Sequence, residues 1–303
     1  MVEPQDIKRE DFPMSPASVE GMIPFAPFVD NYDLETITDI VYREIDGHKL
    51  HLQLILPYGN EGETFPTVLF IPGSAFYKQN VPGRIANLSM LAMRGYAVAL
   101  LEYRGSEIAP FPGLILDAKA GVRFLVEHAD EYRMNKEKLF IMGDSSGAYT
   151  SMMTGITWGE ESLEEIADGM NNPIRGVIDL FGPSDFTTMN NELSAMDHRT
   201  PHCPEGDFIG GYSVLERSDL VGPTIIKNHL SKEKEIPPLL MFHGANDELV
   251  PFGQGCELYS ALMEYEKEAI FYQVLGAHHG GREFWSSKVL DIVCDFITKK
   301  CED

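Results

Sequence analysis

The chain has 303 residues, 44% of them hydrophobic, and a formal net charge of −23 at pH 7. Such a length and apolar content suffice for a large buried core, while the charge argues against nucleic acid or an anionic membrane as a partner. No apolar run approaches the roughly 18 residues that a membrane-spanning helix needs.

The chain opens on "MVEPQDIKRE", which is charged and lacks an apolar stretch before a small-residue cleavage site. No signal peptide is read there, and a cytoplasmic location is expected. Residues 1–36 are rich in proline and aromatics and are read as an N-terminal extension, a candidate to cover a site. The stretch "TITDIVYREIDGHKLHLQLILP" then predicts two strands joined by a tight Asp46-Gly47 turn. Continuous apolar runs follow at 65–73, 95–104, 138–145, 174–182, 237–244 and 269–276. Their continuity suits strands covered on both faces. Amphipathic helices lie between them; in one, Ile115, Ala118, Val122, Leu125 and Val126 recur at helical spacing. The order predicts an α/β fold: a mostly parallel central sheet, helices on both faces and an N-terminal antiparallel hairpin. Residues 183–236 break the rhythm with Gly, Pro and polar sequence, and are read as a cap-like insertion in a domain spanning 37–303. A connection so long should carry short helices of its own or be functional. Cys203, Cys256, Cys294 and Cys301 form no Cys-x-x-Cys pair and are expected to be free thiols in a reducing compartment.

The chemistry centres on "KLFIMGDSSGAYTSMMTG", residues 138–155. Gly-x-Ser-x-Gly is satisfied in one register only, Gly143 to Gly147, with Ser145 in the middle. A predicted buried strand ends at the first glycine and a helix pattern begins after the serine. A nucleophile elbow needs this strand–turn–helix setting. The turn is sharp, so a side chain two positions either side would strike neighbouring backbone. The bland alternative is a strand–helix turn without chemistry.

A serine hydroxyl needs a base, and the base needs an orienting acid, in the chain order Ser, Asp or Glu, His. Asp247, in "LLMFHGANDELVPF", follows a predicted strand; its alternative role is to cap the next helix, with Glu248 a substitute acid. His278 and His279 lie in "FYQVLGAHHGGREFW", again just past a strand. All of these fall at the carboxyl ends of strands, where α/β sheets place their sites. Backbone N–H donors for a developing oxyanion are expected from Ser146 and from the loop Gly73, Ser74, Ala75. Outside this set, His243 suits a core histidine, Arg104 and Glu102 suit loop braces, and Phe284 and Trp285 suit the core. Asp197, His198, His202 and Cys203 match no common zinc spacing, and a solvated loop is expected there.

"IPGSAFY", "GYAVALLEYRGSEIAPFPGLILDAKAGVRFL", "GDSSG", "HGANDELVP" and "GAHHGGREFW" together resemble the α/β-hydrolase family, closest to its small bacterial esterase/lipase branch of feruloyl esterases and carbohydrate acetylesterases. The resemblance covers about 35–299. It implies an α/β-hydrolase fold with Ser145 as nucleophile, Asp247 as acid and His279, in the pattern Gly-Ala-x-His, as base. It departs in having "PGSA" at 72–75 where related lipases carry His-Gly-Gly-Gly, and Ala148 after the elbow where a second glycine is common. The implied activity is hydrolysis of small carboxylic esters, such as acetyl or feruloyl esters of sugars, with an amide hydrolase (an arylformamidase or small peptidase) as the rival and a non-enzymatic ligand receptor as the third reading. No cofactor and no metal are expected. The expected partner is a small-molecule ester, with neither nucleic acid nor membrane, and a homodimer is left open.

Overall fold

Asp46 and Gly47 both adopt left-handed backbone, with φ of 50° and 79°, as a two-residue hairpin turn requires. They join strand β1 (Leu34–Ile45) to β2 (His48–Pro57), antiparallel, with Ile45 opposite His48. The first strand thus begins a few residues ahead of the expected start, because Leu34 still pairs with Pro57. The computed structural model describes residues 5–26, 32–166 and 169–302. The expected N-terminal extension falls partly outside the described residues, at 1–4 and 27–31. The chain divides into two units, Met1–Asp30 and Asn31–Asp303. In the first, the described residues contain one 3-10 turn, Arg9–Asp11.

Six further strands complete the sheet: β3 (Phe65–Ile71), β4 (Ala97–Leu101), β5 (Met134–Asp144), β6 (Ile174–Leu180), β7 (Leu239–Gly244) and β8 (Ala269–Val274). Their order is β1-β2-β4-β3-β5-β6-β7-β8. The ladder is antiparallel as far as β2–β4 and parallel thereafter. Each apolar run forms a strand, and the ends stop for local reasons. Beyond Ile71 comes Pro72, which has no N–H for the ladder. Beyond Leu180 comes Phe181, whose φ of 49° turns the chain out of the sheet.

The continuous runs follow from cores on both faces. Alternate residues feed opposite sides: Leu69 and Ile71 join one cluster, Val68 and Phe70 the other. The first cluster is closed by helices α2 (Gly113–Glu127), α3 (Ser146–Ile156) and α6 (Gly253–Glu264), the second by α1 (Ile85–Ala92) and α7 (Ser287–Glu302). A strand covered twice has no polar face, so period-two alternation disappears.

Residues 183–236, between β6 and β7, contain α4 (Pro204–Phe208), α5 (Ser218–Val221) and three 3-10 turns, Met189–Asn191, Gly222–Thr224 and Ile226–His229. This segment is anchored by aromatic side chains: the Phe208 ring stacks on Phe76, with centroids 4.5 Å apart, and Phe186 meets the same ring edge-on.

Candidate active site

Five loops leave the carboxyl edge of the parallel strands β3, β5, β6, β7 and β8, and they converge on one pocket. The central one is the turn from β5 into α3. Ser145 has φ 53° and ψ −125°, a conformation that a side chain makes costly and that persists only where the surroundings impose it. The flanking glycines are what allow it. A Cβ at Gly143 would strike the Gly147 carbonyl, and one at Gly147 would strike the Ile71 carbonyl at the end of β3. The two adjacent serines therefore diverge. Ser145 Oγ points to the pocket, 2.8 Å from His279 Nε2. Ser146 Oγ instead accepts the Ser74 N–H at 2.9 Å and pins the neighbouring loop.

His279 follows β8, and its ring is held from two sides. Its Nδ1 lies 2.8 Å from Asp247 Oδ2 and 3.0 Å from Oδ1. Its edge meets the Phe181 ring, centroids 4.8 Å apart, and Phe181 rests on the buried Phe284. The backbone N–H of His279 donates to Glu248 Oε2 at 3.3 Å, which fixes the chain that carries the ring. Asp247, whose side chain is fully buried, receives the Leu249 and Val250 N–H groups on Oδ1, at 3.0 and 2.8 Å. These donors fix the orientation of the carboxylate. Ser145, His279 and Asp247 are thus in hydrogen-bonding sequence. His278 turns outward and pairs with Glu248 at 3.1 Å, so Glu248 does not replace Asp247.

The four expected oxyanion donors do not stand alike. The Gly73 N–H is taken by Asp144 Oδ1 at 2.6 Å, and the Ser74 N–H by Ser146 Oγ. Both are corrected: loop-fixing bonds occupy them. Among the described residues no acceptor stands on the N–H of Ala75 or of Ser146, and both residues line the pocket. Ala75 and Phe76 are both left-handed, φ 53° and 67°. Ser146 is the first residue of α3, where N–H groups are unpaired and the helix dipole favours negative charge.

The pocket measures about 270 Å³. Its floor is Ser145 and His279, and its walls include Phe76, Phe181, Met196 and Leu249. Arg84 also borders it, paired to the buried Asp144. No motif signals this pair, since nothing in the elbow pattern tells which way the residue before the serine points. One expectation is overturned. His198 is not in a solvated loop: it is 2% exposed and forms part of the pocket wall with Glu205. The apolar packing of 183–236 against Phe76 draws it inward. Among the described residues, no group of three or more His, Cys, Asp or Glu stands close enough to hold a metal ion. His243 is fully buried behind the acid; its Nε2 donates to the Val250 carbonyl at 2.9 Å, and burial lowers its pKa, keeping it neutral. Arg104 forks onto Asp117 of α2, and Glu102 holds His51; neither borders the pocket.

Comparison with known proteins places this geometry. The BD-FAE family model matches residues 52–262. The probable carboxylic ester hydrolase LipM of Mycobacterium tuberculosis is 25% identical over 218 residues, 70% of this chain and 48% of its own length. Esterase LipC of the same organism is 24% identical over 223 residues, 71% of this chain and 53% of its own. The chain spans about half the length of these curated relatives. Among solved structures, a truncated carbohydrate esterase from gut microbiota superposes with a TM-score of 0.75 at 24% identity, covering 91% of this chain and 99% of that one. A bifunctional GH43-CE protein of Bacteroides eggerthii gives 0.76 at 26% identity, covering 88% of this chain and 38% of that one. The fold is that of the α/β-hydrolase esterases. Among the described residues no helix is long and apolar enough to cross a membrane.

Proposed function

The chain belongs to the BD-FAE family, and from that premise we propose that it is a serine hydrolase of small carboxylic esters, working through an acyl-enzyme. The observation that carries this reading is the unbroken series Ser145 Oγ–His279 Nε2 at 2.8 Å and His279 Nδ1–Asp247 Oδ2 at 2.8 Å, at the floor of a small pocket. Ser145 Oγ attacks the ester carbonyl while His279 Nε2 takes its proton. Asp247 holds the ring in the required tautomer and stabilises its charged form. The N–H groups of Ala75 and Ser146 receive the oxyanion, each contributing roughly 10²–10³ in rate. His279 then protonates the leaving alcohol. Water, activated by the same imidazole, releases the acid and restores Ser145.

The pocket's small volume favours a short acyl group such as acetyl. The relatives named as ester hydrolases support ester over amide chemistry, and the structural neighbours named as carbohydrate esterases support a sugar as the alcohol. The four cysteines are free thiols, which supports the cytoplasm as the compartment. The test is labelling by a fluorophosphonate probe together with turnover of 4-nitrophenyl acetate and of the matched anilide, 4-nitroacetanilide. Labelling at Ser145 with turnover of the ester alone is expected. Faster turnover of the anilide would hand the site to amide chemistry, and no labelling would remove the nucleophile.

A further inference from the structure

Two buried polar groups in the pocket wall have no part in the reaction proposed above. His198 and Glu205 have side chains only 2% and 5% exposed. His198 Nε2 lies 3.0 Å from the Leu249 carbonyl and 3.1 Å from Ser194 Oγ. A carbonyl only accepts, so Nε2 carries a proton. The other nitrogen, Nδ1, stands 3.0 Å from Glu205 Oε1 but out of line for a hydrogen bond. A bare nitrogen lone pair 3.0 Å from a carboxylate oxygen is repelled by it, so this contact suits a protonated Nδ1. Burial alone would lower the His198 pKa, but the adjacent Glu205 carboxylate outweighs it and raises it, favouring a proton on the ring.

Two atoms are left over. His198 Nδ1 and Glu205 Oε2 are buried without a hydrogen-bond partner, a state that native structures seldom leave unexplained. One is a donor and the other an acceptor, on adjacent side chains that both line the cavity containing Ser145. A hydroxyl is the group that satisfies both at once, giving its proton to Oε2 and accepting from Nδ1. An ammonium cannot accept, and a carboxylate cannot donate.

We propose that His198 and Glu205 form a subsite that recognises a hydroxyl on the alcohol part of the substrate, making the preferred substrates short-chain esters of polyhydroxy alcohols. This rests on the ester-hydrolase reading, under which a short acyl group such as acetyl carries no hydroxyl of its own. A trapped water would satisfy the same two atoms, and the test separates the two.

The experiment compares kcat/KM for glycerol monoacetate and for propyl acetate, which share an acyl group and a three-carbon alcohol. It uses the full chain as wild type, Glu205→Gln and Glu205→Leu, with 4-nitrophenyl acetate as a check on ester turnover. The wild type is expected to prefer the glyceryl ester by at least about tenfold, the scale of a hydrogen bond to a charged group. Both substitutions should carry the ratio towards one, the leucine further. The isosteric glutamine covers the case in which the leucine chain does not fold, and the wild-type ratio needs no variant. A wild-type ratio near one with good turnover of 4-nitrophenyl acetate would overturn the subsite and leave the ester reading standing. So would variants that slow both esters equally, which is the outcome for a trapped water or a purely structural pair. No turnover of any ester would overturn both.

Discussion

The turn Gly143–Gly147 and the segment 183–236 border the same pocket and are built in opposite ways. The turn is fixed by backbone. Its central residue is left-handed, and its glycines let strand β3, the helix α3 and the turn itself pass within contact of one another. The segment is fixed by side chains reaching far across the sequence. Phe208 and Phe186 pack on Phe76, Asp207 accepts the Tyr77 hydroxyl at 2.6 Å, and His198 reaches Leu249. Where the reacting atom must be placed to within a fraction of an ångström, local sterics do the placing. Where the outline of a substrate is met, a longer stretch of irregular chain suffices.

That contrast can be broken by substitution, and the largest effect belongs to the turn. Ser145→Gly removes the nucleophile, so turnover of 4-nitrophenyl acetate should fall by about 10⁴-fold or more. The same change lets φ of 53° be occupied without strain, so the melting temperature should rise by a few degrees, for roughly 1–2 kcal/mol. A lower melting temperature would show that the elbow is not strained. Next come paired glycines. Gly147→Ala drives a methyl into the Ile71 carbonyl and should cost at least about 3 kcal/mol in chemical denaturation. Gly222→Ala, in the segment, meets nothing within 4 Å and should be neutral or stabilising by up to about 1 kcal/mol. Equal losses at both positions would erase the distinction drawn here.

A pH-dependent effect concerns a carboxyl beside the turn. Asp179 lies opposite Gly143 in the sheet and is 1% exposed. Burial pushes its pKa up from 3.8 to about 7, against the opposing Gly182 N–H. The folded chain then holds a proton that the unfolded chain releases, so this group's contribution to stability is full below about pH 4 and lost as pH rises to about 7. Asp179→Asn keeps an acceptor for Gly182 and has no such loss. Its advantage in melting temperature should therefore be near zero at pH 4 and grow to a few degrees by pH 8. A constant difference across that range would refute the shift.

Much of the site was legible because its residues sit next to strand ends. The elbow has its own spacing of glycines, and the positions of Asp247 and His279 after apolar runs put them at one edge of any parallel sheet. The choice between His278 and His279 was not settled by residue type. It came from the ring of Phe181 and the carboxylate of Asp247, which hold one imidazole while Glu248 turns the other outward. The oxyanion loop was legible as a loop only. Gly73 and Ser74 appeared as good donors as Ala75 until Asp144 and Ser146 proved to occupy them. His198 was misjudged because its neighbours in sequence are polar. Asp197 and His202 are indeed exposed on either side of it, and its burial comes from contacts with residues about fifty positions away.

The sequence alone determined the α/β architecture, the strand hairpin and the place of Ser145 at a strand–helix turn, because each is dictated by interactions within a few residues: apolar period, left-handed turn chemistry and steric exclusion at glycine. The tertiary structure decided which N–H groups remain free, which histidine faces the serine, and that a buried His–Glu pair lines the pocket. Those outcomes depend on hydrogen bonds and ring contacts between segments distant in the chain, and no local pattern of residues encodes the direction in which a side chain will point once the sheet has closed.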